Sequence, residues 1–202
     1  MKISALPKEI ENIISFFKEI PGIGRKGAER MIFAMLKWPP EKLTSFGNQI
    51  ALLPEKVKKC SVCSNISESD ICPICASHER DRSLLCIVED FTQIPLLETA
   101  NYKGLYFVLE GKLSPLDGIT PDSLKINRLT KLISDSQNLK EVIIAVSQDI
   151  EGQATSIYLS GIIRKLGKSV TTLARGIPAG ADISFANSAT LAAAIEGRIT
   201  IN

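Results

Sequence analysis

The sequence is short of several things. Across its 202 residues no apolar run reaches the ~18 residues that a membrane-spanning helix requires. The opening stretch MKISALPKEIENII meets Glu9 before an apolar segment can build, so neither a secretory leader nor a membrane partner is expected. Aromatic residues make up only 5%, His78 is the single histidine, and no internal repeat or low-complexity tract is present. The five cysteines are an odd number in a chain without a leader, which argues against a secreted disulfide framework. Thiolate chemistry in a reducing compartment, and hence a cytoplasmic protein, is the expectation. What is there is ordinary for a folded protein: hydrophobic residues at 45% and charged residues at 23% exclude a disordered chain. The length allows one core of usual size or a few small modules in series.

A net charge of +2 conceals an uneven distribution. Residues 1–59 hold eleven Lys/Arg against six Asp/Glu, residues 60–82 hold two against four, and residues 83–202 hold eleven against twelve. The basic surplus is confined to the N-terminal segment, as a phosphate-binding module would have it, although a solvated lysine-rich helix face gives the same count.

The N-terminal segment carries apolar residues at helical spacing, first Ile10, Ile13, Ile14, Phe17 and Ile20, then Ala28, Met31, Ile32, Met35 and Leu36. Pro21-Gly22-Ile23-Gly24 interrupts the two runs, and Trp38-Pro39-Pro40 closes the second. A helical hairpin is predicted. From Leu84 onward the pattern changes to short β-rich runs, LLCIVE at 84–89, LYFVL at 105–109 and VIIAVS at 142–147, separated by helix-length segments. That alternation predicts an α/β domain with a mostly parallel sheet.

Three constellations carry chemistry. At the hairpin tip, Gly22 and Gly24 allow a tight turn while Ile23 plugs the gap between the helices. A helix starting just after Gly24 offers unpaired N–H groups and the positive end of its dipole to a phosphate. Lys26 and Arg30, four residues apart, share a face beside that end, with Arg25 at the rim. This is the helix-hairpin-helix arrangement for sequence-independent DNA binding; a plain hairpin with a solvated basic face is the competing reading.

The second constellation is Cys60-Ser61-Val62-Cys63 followed, after eight residues, by Cys72-Pro73-Ile74-Cys75. Two C-x-x-C turns this close can present four thiolates to one zinc ion, a closed structural site with no open position for catalysis. A redox dithiol pair or buried free cysteines are the alternatives. His78 is surplus to four thiolates, and Cys86, inside LLCIVE, is predicted to be core.

The third is acidic. Glu89 ends the first predicted strand, and Ser147-Gln148-Asp149-Ile150-Glu151-Gly152 follows the third. Strand C-termini are where α/β folds place sites. An acid after one strand and an acidic cluster after another is the arrangement of a Toprim domain, whose carboxylates gather magnesium for phosphoryl chemistry; solvated loop acids are the bland alternative. Gly152 is read as opening a helix whose buried side is Ala154, Ile157, Tyr158, Leu159, Ile162, Ile163 and Leu166, with Gly167 as C-cap. Gly167-Lys168-Ser169 is not a P-loop: the first glycine would fall at Ile162, and the triplet ends a helix instead of opening one.

The order hairpin, four-cysteine knuckles, Toprim-like domain resembles the bacterial recombination-mediator family RecR over essentially the full length. The stretches that carry the resemblance are PGIGRKGAER at 21–30, CSVC, CPIC, LCIVED at 85–90, LSPLDGITP at 113–121, EGQATS at 151–156, ARGIPAGADI at 174–183 and LAAAIEGR at 191–198. The resemblance implies an α+β multi-module protein. Its parts would be a helix-hairpin-helix DNA-binding region (1–56), a four-cysteine zinc finger (57–82), a Toprim domain (83–175) and a C-terminal helix/strand segment with a Walker B-like element near Asp182 (176–202). It also implies a nucleoid-associated protein that binds single-stranded, gapped and double-stranded DNA and acts with RecO and RecF to help load RecA at gaps. Such a protein forms a homo-oligomer, typically a tetramer, and holds one structural zinc per chain on Cys60, Cys63, Cys72 and Cys75. DNA contacts would fall on Gly22, Gly24, Arg25, Lys26 and Arg30. One departure bears on magnesium: Toprim enzymes carry an Asp-x-Asp pair, and here Ser147 stands at its first position with only Asp149 at the second. A missing carboxylate weakens a hard-cation site, so Mg2+ is left open. Glu89, Asp149 and Glu151 are read as a docking face that holds at best a weakly bound ion, without a catalytic residue, and a Toprim-type nuclease or primase-like enzyme is the alternative.

Overall fold

The computed structural model describes residues 5–200; the outermost residues of the first and last expected modules, 1–4 and 201–202, lie outside the described residues. The chain divides into two compact units, residues 1–56 and 57–202.

In the first unit α1 (Lys8–Lys18) and α2 (Arg25–Met35) form the predicted hairpin. Its core is narrow. Ile14, Ala28 and Ile32 are buried, and Leu6, Ile10, Phe17 and Ile23 pack against them, so Ile23 fills the gap between the helices as its place between two glycines suggests. Ile13, Ile20, Met31 and Leu36, counted in the apolar stripes, are exposed instead. Two helices facing one another can cover only one stripe each. A third helix, α3 (Pro40–Lys56), is not foreseen by the sequence reading. Pro39-Pro40 does stop α2, but a proline in the first turn of a helix loses no hydrogen bond, so Pro40 opens α3 as readily as it closes what precedes it.

The second unit begins with the cysteine segment: β1 (Lys58–Lys59) pairs antiparallel with β2 (Ile66–Ser67), and α4 (Pro73–Ala76) follows. The remainder is an α/β domain built on β3 (Asp81–Val88), α5 (Ile94–Thr99), β4 (Gly104–Val108), α6 (Ile126–Asp135), β5 (Glu141–Ala145), α7 (Ile150–Lys165) and β6 (Ser169–Thr172). The four strands lie in the order β4-β3-β5-β6, all parallel, with Leu85 opposite Val142 and Leu105 and Ile87 opposite Ile144 and Phe107. Alternation along β3 divides the core. Leu85 and Ile87 face a large cluster completed by Leu129 and Ile133 of α6 and Leu159 and Ile163 of α7. Cys86 and Val88 face a smaller one with Tyr106, Val108 and Ile94. Cys86 is therefore core, and burial pushes its thiol up to about 12. Both faces are covered, which is why these strands read as continuous apolar runs.

The buried side of α7 differs from the predicted one: Gly152, Thr155, Leu159 and Ile163 face inward, Ile162 and Leu166 are partly covered, and Ala154, Ile157 and Tyr158 are exposed. The helix is apolar on several sides, so periodicity could not select the face; a threonine occupies a core position because its hydroxyl bonds the backbone (below). Gly167, at φ +74, ends the helix as predicted. The C-terminal segment holds α8 (Ser188–Glu196), capped by Asn187 and without a buried residue; no strand follows it among the described residues. Among those residues no helix is long and apolar enough to cross a membrane.

Candidate functional site

Gly22 sits at φ +81, a conformation that L-residues with a side chain rarely adopt, and this turns the chain sharply between α1 and α2. Gly24 is the N-cap of α2; no side chain caps this end, so its first N–H groups face outward unpaired by any side chain. The three basic residues predicted to lie here differ in their surroundings. Arg25 bridges Glu11 of α1 at 2.7 Å and Glu29 at 2.8 Å, and the bond to Glu11 is the first cause of its raised pKa. It clamps the hairpin. Lys26 and Arg30 have no ion-pair partner among the described residues, and with Glu29, Phe33, Ala34 and Lys37 they line an open groove of about 610 Å³ along α2. Lys37 was missed by sequence reading, although its spacing from Lys26 and Arg30 (i+11 and i+7) keeps it on their stripe.

The four cysteines come together as predicted. Their sulfur atoms all lie within 4.8 Å of one another, and each cysteine is at most 9% exposed. The loops are fixed before any ion is considered: Ser64, at φ +63, lets the first turn close with its N–H on the Cys60 carbonyl, and the Cys60 N–H reaches Asn65 O at 2.7 Å. The Cys72 N–H donates to Cys60 Sγ at 3.2 Å, and the Cys75 N–H to Cys72 Sγ at 3.5 Å, bonds that favour thiolates. Cys63 and Cys75 draw the Cys72 pKa down, in that order of effect, while the Cys63 thiol is raised chiefly by its bond to Cys72. The cluster is anchored to the sheet through Val108 N–H on Cys63 O at 2.8 Å, and Arg128 donates to the Cys60 and Ser61 carbonyls. Zinc fits the donor set: a tetrahedron of Zn–S bonds of ~2.3 Å requires sulfurs about 3.8 Å apart, and Cys63 and Cys72 stand at 3.6 Å. His78 is exposed and outside the group.

The acidic residues also converge, because β4, β3 and β5 are adjacent parallel strands that end at one edge of the sheet. Glu89 follows β3, and its Oε1 accepts from both the N–H and the hydroxyl of Ser147, each at 2.6 Å. Asp149 is the N-cap of α7, with Oδ1 on the Gly152 N–H at 2.8 Å, so the helix opens at Ile150, two residues before the expected start. Glu151 accepts from Ser114 at 2.5 Å. Gly152 makes the approach possible, since a Cβ there would lie 1.9 Å from the Ser147 carbonyl oxygen. One residue at the centre is absent from the sequence expectations. Lys112, from the loop after β4, pairs with Asp149 and stands 3.4 Å from Glu151 and 3.3 Å from Ser147 Oγ. Its pKa is raised and that of Asp149 lowered, in each case first by the bond between them. A signal for it exists: the strand pattern delivers Glu89, Ser147 and Lys112 to one edge of a parallel sheet, and Lys112 lies just past the strand in LYFVLEGK. A divalent ion at these carboxylates does not fit alongside the Lys112 ammonium. Asp182, near which the Walker B-like element was expected, is exposed and caps its own turn through Ser184.

A four-cysteine finger fastened to a parallel sheet with acids at its strand ends belongs to the zinc-finger Toprim class. Family models agree along the chain: the Toprim domain matches residues 83–174, the RecR four-cysteine zinc finger domain residues 57–77, and the RecR C-terminal model residues 176–199. The chain is 42% identical to Recombination protein RecR of Chlorobaculum tepidum over 197 residues, 95% of this chain and 97% of that protein. It is 42% identical to the protein of the same name from Chlorobaculum parvum and 40% to that from Chlorobium chlorochromatii, with the same coverage. The chain belongs to the RecR family.

Proposed function

We propose that this protein is a DNA-binding recombination mediator in DNA repair, not an enzyme, working with RecO and RecF to help load RecA at single-stranded gaps. The relatives' shared name, recombination protein, supports the process. The observation that carries DNA binding is the free basic stripe of Lys26 and Arg30 beside an uncapped helix start, next to Arg25, which is already paired. Phosphate contacts of this kind ignore base sequence. One hairpin makes few of them, so several hairpins in a homo-oligomer, a tetramer by family resemblance, would act together. The cysteine cluster holds one zinc per chain, which fixes the finger and takes no part in chemistry. At the strand ends, Glu89, Asp149 and Glu151 outnumber the single ammonium of Lys112, and this negative face suits a basic partner, assigned here to RecO.

The test is Lys26→Ala with Arg30→Ala. Binding of single-stranded and gapped DNA should fall by an order of magnitude or more while zinc content and melting temperature stay at wild-type values, and the remaining affinity should respond less steeply to salt. Wild-type gel shifts from that variant would move the DNA site off the hairpin. Glu151→Lys should weaken RecO binding without weakening the hairpin's hold on DNA. Metal-dependent strand cleavage that disappears in Asp149→Asn would replace this reading with the enzyme.

A further inference from the structure

Every carboxylate that a Toprim-like site would turn toward magnesium is already answered by the protein's own groups. Glu89 Oε1 carries two hydrogen bonds from Ser147, Asp149 Oδ1 caps α7, and Glu151 Oε1 takes the Ser114 hydroxyl. Beside Glu89 Oε2, the oxygens left over are Asp149 Oδ2 and Glu151 Oε2, which both face Lys112 Nζ, and Ser147 Oγ lies 3.3 Å from it. An ammonium has three protons, and three acceptors from the single stretch 147–151 surround this one.

Lys112 is held there by its loop. Glu110 at φ +65 and Gly111 at φ +138 turn the chain after β4. The residue that follows the lysine, Leu113, is buried and donates its N–H to Thr155 Oγ1 of α7 at 2.8 Å, while Thr155 in turn donates to Glu151 O at 2.7 Å. Ser114, also buried, closes the loop by pairing with Ile119. The lysine is thus fastened on both sides, and its side chain is only 24% exposed. A magnesium or manganese ion would need the same oxygens at ~2.1 Å. It would then stand within a few ångströms of a positive charge that the fold does not let go.

We propose that Lys112 is a built-in cation of the strand-end cluster: its ammonium takes the position a divalent ion would occupy and ties the loop after β4 to the start of α7. This deepens the reading of the cluster as non-catalytic. It adds a cause beyond the absent carboxylate at Ser147, and it is measured apart from DNA and RecO binding, so either can fail alone.

The test uses full-length, zinc-loaded protein titrated with manganese, followed through the free-ion paramagnetic resonance signal; the thiolate finger is too soft to compete for this ion. Wild-type protein and Lys112→Arg should take up no manganese at millimolar concentration. Lys112→Met, similar in length but uncharged, should gain one site per chain, at least about tenfold tighter than any wild-type background, and adding Asp149→Asn should abolish it. Two results overturn the proposal: one manganese per wild-type chain that is lost in Asp149→Asn, or a folded Lys112→Met that binds no more than wild type. Should Lys112→Met not fold, Lys112→Gln is read by the same criteria, and the wild-type titration decides in either case.

Discussion

The cysteine cluster and the acidic cluster lie in the same compact unit and are built alike. Each gathers anionic donors from short loops, and each uses one donor as a helix N-cap, Cys72 for α4 and Asp149 for α7. They differ in what stands among the donors. Four sulfurs within 4.8 Å of one another enclose no cationic side chain among the described residues, and the groups turned toward them are backbone N–H donors and one another. At the strand ends a lysine ammonium is already seated between two carboxylates and a serine hydroxyl. On the proposal above, residues of the right type at the right spacing are not enough to make a metal site, and the charge balance at the centre decides whether an ion binds.

The largest loss is expected at the cysteines. Replacing Cys60 or Cys75 by serine should remove the zinc and leave insoluble or partly unfolded protein, because small fingers take their folding free energy, on the order of 10 kcal/mol, from the metal. Zinc content by elemental analysis, together with solubility, reads the outcome, and soluble, folded, zinc-free variants would make the cluster a set of buried thiols.

A smaller loss is expected from Gly152→Ala. The added methyl would meet the Ser147 carbonyl at 1.9 Å, so α7 must move away from the end of β5. Overpacking of this kind costs about 2–3 kcal/mol, a fall in Tm of roughly 5–10 °C for a unit of this size. The cysteine cluster, separately anchored through Val108 and Arg128, should keep its zinc. Zinc lost together with α7 would mean that the two clusters are one cooperative structure.

The smallest effect concerns pH. Asp149 is held below the usual carboxylate range, first by Lys112 and then by the Gly152 N–H. A depressed folded-state pKa gives stability that is present above the unfolded value of ~3.9 and is lost as the pH falls through the folded value. The wild-type advantage in Tm over Asp149→Asn should therefore be slight near neutral pH, given the exposure of the pair, shrink as the pH falls below the unfolded value of ~3.9, and vanish below the depressed folded value. Melting curves across that range check it, and a gap that widens in acid would contradict the pairing.

Much of this was legible in the sequence because local rules decide it. Paired C-x-x-C turns must bring their sulfurs together, a glycine on each side of Ile23 makes a hairpin, and runs such as LLCIVE and VIIAVS are too continuously apolar to be anything but strands covered on both faces. What was missed depends on contacts between distant segments. The buried face of α7 is chosen by Thr155, whose place in the core makes sense only once the Leu113 N–H is found above it. Lys112 lies 37 residues before Asp149 and meets it only because β4 and β5 flank β3 in parallel. Helix α3 escapes a reading in which Pro39-Pro40 is a stop and not also a start.

The most direct measurement is the metal content of the intact protein by native mass spectrometry after dialysis against zinc and manganese together. The account predicts one zinc and no manganese on every chain. A chain without zinc, or one that carries manganese as well, would contradict it.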